Sequence, residues 1–578
     1  MILRYFYKFF AYFRDEKRFF LNFAFLSLIA GLLELFGVAL TYPFVLKIIL
    51  NSKSEESITV LLIGIGIVLL FLIKNVFMIF YTYLQTRYTN QFESKIKIKF
   101  MEYFLTSQYQ NAAQIPFALK NKIFSYLIPT VTNNYIFRLL NLCVNLVIFT
   151  LITVLLAVKF PVAAFCAIIC ILILLKTQDF VYKPLVKKAS EKVNALSLKT
   201  HQAFNEILID LKSIKVSNNE KYFYNRFKST TNDYHENYSG MSFLNIVPPY
   251  VTEPFIIIML FIFLAIISFQ SLSSPEKLVA SFALIVSAIF RLAPAISRLQ
   301  VNINGINSAL PAVKEFLFIY DKYKIENSRP LSDKVFQTFN QYIELKGINF
   351  GYNENPVLKN INLTIKKGDF IGIAGLSGAG KTTLADVIAG LYKPNGGEII
   401  IDGMPKVSDL KIGYIPQEFT LISGNIRENV AFGSDIIDDE RVIKALKQAQ
   451  LYDFIEENYS NGIYEAPFAD SSGISQGQKQ RLAIARALYF EPDILIMDEG
   501  TSSLDLITED KICDTLENLK GNKTIIVIAH RLSTIKSADK IIFIKDGEIT
   551  GNASFEELIK TNSDFEELVR LSDISKSN

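Results

Sequence analysis

Six stretches in the first 300 residues are too long and too apolar for a domain dissolved in water. They run at about 20–46, 58–84, 133–158, 160–182, 248–269 and 277–300, and at about 1.5 Å per helical residue each covers the ~30 Å hydrocarbon layer of a bilayer. The first, Phe20 to Leu46, is interrupted by Glu34 and Pro43. Half of the 578 residues are hydrophobic and the mean hydropathy is +0.28, so lipid is the expected solvent of this half.

The connecting segments alternate in charge. Arg87, Lys95, Lys97, Lys99, Lys120 and Lys122 lie between the second and third stretches, and Lys183, Lys187, Lys188, Lys192, Lys212 and Lys215 between the fourth and fifth. The other connections are short and poor in cations, which predicts that both termini face the cytoplasm. The cationic segments are long and helical in pattern, so spans two to five are expected to continue as helices beyond the bilayer. Residues 1–18 alternate aromatic and basic side chains and read as an amphipathic helix lying along a membrane surface. Past Arg298 the apolar density fades through Asn302, Asn304 and Asn307 into a charged stretch, Asp321 to Asp333.

With 60 basic and 56 acidic residues the net charge is +4, so no nucleic-acid partner is implied. Four scattered cysteines and three histidines give neither a disulfide framework nor a zinc pattern. The fold class expected is multidomain: an all-α, six-span transmembrane domain over 1–325, a linker over 326–340, and an α/β phosphate-loop nucleotide-binding domain over 341–578 built on a largely parallel sheet.

In the second half, Gly375-Leu376-Ser377-Gly378-Ala379-Gly380-Lys381-Thr382 follows the apolar run Phe370 to Ala374 and opens the helical pattern that begins at Thr383. Gly375, Gly378 and Gly380 let the backbone curl until its N–H groups, with those of Ser377 and Thr383, face phosphate at a positive helix end. Lys381 is expected to reach the terminal phosphates of ATP, and Thr382 to give its hydroxyl to Mg²⁺. Downstream, the strand Ile494 to Met497 ends in Asp498, suited to Mg²⁺, and Glu499, placed to polarise the attacking water. Ser475-Gln476-Gly477-Gln478 opens a further helix, a second anion site where one domain needs only one.

These motifs resemble the ATP-binding cassette family over nearly all of 341–565. Ser475 to Gln478 is similar to that family's signature, with Gln476 in place of a glycine, and the resemblance implies that Ser475, Gly477 and Gln478 cap an ATP held by the phosphate loop of a second copy or of a related half-transporter. Tyr352 resembles the aromatic that stacks on adenine. Gln417 resembles the glutamine that senses Mg²⁺ and γ-phosphate, Asp505 lies in a stretch that resembles the loop crossing the dimer interface, and His530 resembles the γ-phosphate histidine. By the same resemblance the chain is one half of a dimeric exporter in a bacterial inner membrane, cassette and both termini cytoplasmic, with helix extensions near Gln108 to Gln114 and Asp210 to Lys221 meeting the cassettes.

Intramembrane charges carry the cargo argument. Glu34, Glu253, Arg291 and Arg298 either line a cavity or pair with one another inside the bundle, and the sequence leaves both open. The segments around Leu33 to Phe44, Val247 to Glu253 and Phe290 to Arg298 are similar to bacterial flippases of lipid-linked oligosaccharides. Arg291 and Arg298, with Glu34, are therefore substrate-site candidates for an amphipathic or lipid-linked cargo carrying a pyrophosphate. The alternatives are a lipid, multidrug or peptide exporter, a nucleotide-gated regulator, and a soluble cassette ATPase.

Overall fold

The computed structural model describes residues 8–574 except 10, 13–16, 51–56, 162–164, 166–175, 177, 248, 252, 255–256, 259–260, 263–274, 326–335, 338, 353–354, 407–408, 418, 466–473, 499–505 and 530. The chain divides into two compact units, Met1–Ser107 with Asn111–Leu331, and Gln108–Gln110 with Ser332–Asn578.

The first unit is helical. Its main helices are α1 (Lys17–Ala39), α2 (Ser57–Thr106), α3 (Phe137–Lys159), α4 (Lys183–Ile209), α5 (Glu220–Ile246) and α6 (Pro275–Lys322). Among the described residues four stretches are long and apolar enough to cross a membrane: Arg18–Ile49, Ile58–Thr106, Phe117–Lys159 and Val279–Lys322. The stretches expected at 160–182 and 248–269 fall largely outside the described residues. The first span bends at Leu40 before a separate helix, Thr41–Leu50. Pro43 has no N–H to give the carbonyl of Ala39, so the ladder weakens there.

Short helices occupy Tyr109–Ala113 and Leu211–Val216, within the two places where helix extensions were expected. The chain does not loosen after Arg298. Helix α6 continues to Lys322 with Pro294 and Pro311 inside it, and Gln300, Asn302, Asn304 and Asn307 are buried along it. Of the N-terminal stretch, Phe9 is buried against Phe92 and Tyr12 donates to Asp321, so these two aromatics are covered by the helical unit itself.

The second unit carries two sheets. Strands β1 (Tyr342–Tyr352), β2 (Asn355–Lys366), β4 (Gly396–Ile401) and β5 (Met404–Pro405) form an antiparallel sheet in the order β2-β1-β4-β5, which the sequence did not foretell. The other sheet runs β10-β9-β3-β8-β7-β6, with β3 (Phe370–Gly375), β6 (Ile412–Ile415), β7 (Ile494–Asp498), β8 (Thr524–Ile528) and β9 (Lys540–Lys545) parallel and β10 (Glu548–Ala553) an antiparallel edge. Alternate residues of its central strands enter opposite cores: Phe370, Leu495 and Ile525 on one face, Ile371, Ile494 and Ile526 on the other. A parallel strand covered on both faces must be apolar throughout, hence the unbroken isoleucine runs.

Candidate functional site

Strand β3 ends at Gly375, and the loop that follows turns into helix α7 (Lys381–Ala389). A Cβ at Gly375 would lie 2.3 Å from the carbonyl oxygen of Ile544 on β9, so no other residue fits where strand becomes loop. Gly380 caps α7 at φ +103°, a left-handed conformation that glycine adopts without strain. Between them Leu376, Ser377 and Gly378 form the exposed rim.

Lys381 is buried beneath that rim, its Nζ donating to the carbonyls of Gly375 at 2.9 Å and Leu376 at 3.0 Å. The Thr382 hydroxyl donates to Asp498 Oδ1 at 3.3 Å, joining the start of α7 to the end of β7. These two oxygens suit Mg²⁺, a hard cation that takes one or two protein ligands and completes its shell with phosphate and water. Their convergence at the loop's mouth is the fit expected of a nucleotide-bound Mg²⁺.

Tyr414 on β6 bridges two carboxylates, its hydroxyl 3.2 Å from Asp386 Oδ1 and 3.3 Å from Asp498 Oδ2. Burial pushes the Asp386 carboxyl up to about 6, with Asp498 adding to the rise and the hydrogen bond from Tyr414 opposing it. Neither Asp386 nor Tyr414 was legible as part of the site, because only the folded sheet brings β6 beside β7. Gln417 is exposed just past β6.

Tyr352 is 42% exposed and meets Phe350 and Tyr392 edge-on, at 5.2 and 5.5 Å. Its hydroxyl lies 3.4 Å from Thr383 Oγ1, which sets the ring beside the start of α7. That leaves an aromatic face available to a base.

Helix α8 (Gln476–Tyr489) opens with a capping box: Ser475 Oγ accepts from the Gln478 N–H, and Gln478 Oε1 accepts from the Ser475 N–H. Gly477 is buried under this turn, while Gln476, in place of the family's glycine, points outward and is exposed. Further along α8, Arg486 is clamped between the rings of Phe419 and Phe432, each 4.1 Å away, and donates to the backbone of Asn429 and Thr420. Burial lowers its guanidinium to about 10. This ties α8 to the segment after Gln417.

Glu499, Asp505 and His530 lie outside the described residues. Among the described residues, Glu509 of α9 (Leu506–Leu519) is buried and accepts from both Arg531 and Ser533, fixing the chain immediately after position 530. Sequence reading missed Glu509 because its partners stand more than twenty positions away with no motif linking them.

In the helical unit the intramembrane charges part company. Glu34 on α1 is buried and receives Lys74 of α2 at 2.9 Å and Arg291 of α6 at 3.1 Å. Phe71 lies beneath both cations, with Arg291 Cζ 4.8 Å from its centroid. Arg291 is thus engaged in a pairing the sequence had left open. Arg298, two turns further, is exposed toward a cavity that α2, α3 and α6 line with both polar and apolar side chains.

Residues 358–502 match the ABC transporter family. An ATP-dependent lipid A-core flippase of Saccharophagus degradans is 31% identical over 403 residues, which is 68% of this chain and 67% of the relative. A lipid A-core flippase of Syntrophus aciditrophicus is 40% identical over 238 residues, 40% of this chain and 39% of that one. The fold is that of a bacterial Atm1-family ABC exporter solved with ATP bound, at a TM-score of 0.76 and 21% identity, covering 96% of this chain and 98% of the other. With a phosphate loop, its magnesium-type oxygens and lipid-length helices in one polypeptide, the chain belongs to the ABC transporter family as an exporter half-transporter that hydrolyses ATP to drive transport.

Proposed function

We propose that two copies of this chain, or one copy and a related half-transporter, form an exporter that flips a lipid with an anionic, sugar-bearing headgroup, a lipid-linked oligosaccharide being the best match. The observation that carries the reading is the convergence of Lys381, Thr382 and Asp498 in a chain whose described residues include four lipid-length helical stretches. The first relatives are named as lipid A-core flippases, which supports a lipid cargo.

In this reading Lys381 holds the terminal phosphates, and Ser377, Gly378, Gly380 and Thr383 present backbone N–H groups to them. Thr382, Asp498 and Gln417 would hold Mg²⁺, which would neutralise charge building on the phosphates. Glu499 orients the attacking water, and His530 contacts the γ-phosphate. Tyr352 stacks on adenine. Ser475, Gly477, Gln478 and Asp505 close over the ATP of the opposite cassette, and that closure drives the membrane domains between two states. Six spans, domain limits at 325 and 341, a bacterial inner-membrane location and cytoplasmic termini complete the proposal.

The test is reconstitution in liposomes with a panel of lipids and glycolipids. A polyprenyl-linked glycan should raise the ATPase rate and cross the bilayer only with ATP. If no lipid moves while ATP is consumed, the cargo class is wrong. Glu499→Gln should trap ATP-bound dimers, and unchanged turnover would mean another base.

A further inference from the structure

Two cavities lie side by side between α2, α3 and α6, of about 410 and 320 Å³, with Asn302 in the wall of both. The first is lined by Thr86, Thr89, Asn90, Asn133 and Arg138 besides Asn302. The second adds Thr82, Asn141, Asn145 and Arg298. Among apolar side chains such as Phe137, Met78 and Val144, their walls hold two guanidinium groups, five carboxamides and three threonine hydroxyls, and no carboxylate among the described residues. The carboxylate of Glu93 borders the first cavity, where it accepts from the Asn133 amide at 3.2 Å and from Thr132, and its charge is met by Lys97 at 2.7 Å.

The polar wall is built, not incidental. Thr89, Asn145 and Asn302 are at least nine-tenths buried. Arg138 is held from behind, where one of its N–H groups donates to the carbonyl of Val301 at 3.1 Å. Its stem lies across Gly305, where a Cβ would come within 2.2 Å of the Arg138 Cδ, so glycine is what leaves room for this arginine. A guanidinium so fixed has lost little freedom on meeting an oxyanion.

Depth matters as well. From Ile58 the apolar part of α2 reaches Met78 after about 30 Å, one hydrocarbon thickness. Met78 lines the second cavity and Asn90, about 18 Å further along α2, lines the first, so the pair starts at the edge of the acyl chains and extends outward through the headgroup layer.

We propose that these joined cavities receive the headgroup of a membrane lipid that is both anionic and rich in hydroxyls, with Arg138 and Arg298 on its phosphate and the asparagine amides on its hydroxyls. This rests on the lipid-flipping reading above and names its headgroup site, assigning the second cation to Arg138 rather than to the ion-paired Arg291. Guanidiniums select the charge, and amides, which both donate and accept, select the hydroxyls.

The experiment measures equilibrium lipid retention without ATP, using the full-length protein in phosphatidylcholine nanodiscs and native mass spectrometry. The probes are phosphatidylinositol (phosphate and polyol), a galactosyl diacylglycerol (hydroxyls without charge) and phosphatidic acid (charge without hydroxyls). Phosphatidylinositol should be retained about tenfold over either, and Arg298→Gln or Arg138→Gln should each remove about that factor, the loss expected of one charge-assisted contact. Arg138→Lys should recover part of it, and Gly305→Ala should mimic Arg138→Gln by displacing the side chain. If Arg138→Gln fails to fold, Arg298→Gln, on the exposed rim, carries the test alone. Equal retention of all three lipids, or no change in Arg298→Gln, overturns the proposal. Displacement by soluble glycerophosphoinositol at equal concentration overturns the membrane source. Because no ATP is present, this outcome is separate from a failure of ATP-driven flipping.

Discussion

The ammonium of Lys74 sits 2.9 Å from the carboxylate of Glu34, joining α2 to α1 inside the helical unit, with Arg291 of α6 on the other oxygen. Glu34→Gln strips the buried Lys74 of its counter-charge, at a cost of about 3–5 kcal/mol. Denaturant titration of the detergent-solubilised protein should show the loss, and the double variant with Lys74→Met should regain most of it. An unchanged midpoint in Glu34→Gln would mean the pair does not hold the helices together.

Glu509 fixes Arg531 and Ser533 beside His530. Glu509→Gln keeps the shape but weakens both bonds, and we expect ATP turnover to fall about tenfold, the consequence of letting the segment proposed to contact the γ-phosphate drift by a fraction of an ångström. ATP affinity, read by nucleotide titration, should change far less than turnover. Equal losses in both would make Glu509 merely structural.

Asp386 gives the cassette a pH signature. Its carboxyl is raised from 3.8 to about 6 in the fold, so the folded state binds the proton more tightly than the unfolded one, and its contribution falls away as pH rises from 3.8 through 6. Asp386→Asn removes that loss. Its melting temperature in metal-free buffer should exceed wild type at pH 7.5 and match it at pH 4. The same difference at both pH values would contradict the assignment.

Gly375→Ala should abolish ATP binding, because the carbonyl of Ile544 on a central strand cannot retreat from a new methyl 2.3 Å away. Isothermal titration with ATP would read this directly. Near-normal affinity would mean that the loop keeps its path without the close approach to β9.

The phosphate loop was legible because its chemistry is local. Gly375 to Thr382 are consecutive, and the apolar run ahead of them had to be a covered strand. Asp498 was legible for the same reason, as the tip of Ile494 to Met497. The groups that surround them come from contacts distant in sequence. Tyr414 reaches Asp498 only because β6 pairs with β7, and Arg138 enters its cavity only because Gly305, 167 positions away, has no side chain. The asparagines of α6 misled in a different way. Polar residues at 302–307 look like the end of a span, yet they are buried because the helix continues and packs that face inward. Glu34 and Arg291 were both singled out as charges, but hydropathy has no means of telling a paired charge from a waiting one.

Helix α2 runs 50 residues without a break, about 75 Å of rod. The Lys74–Glu34 bond grips it a third of the way along, leaving about 48 Å beyond the grip to Thr106. A tilt of about 5° around that pivot swings the long arm's tip by about 4 Å and the short arm's by half as much. A stiff lever with an ionic fulcrum turns a slight rocking among lipids into a stroke as wide as a side chain.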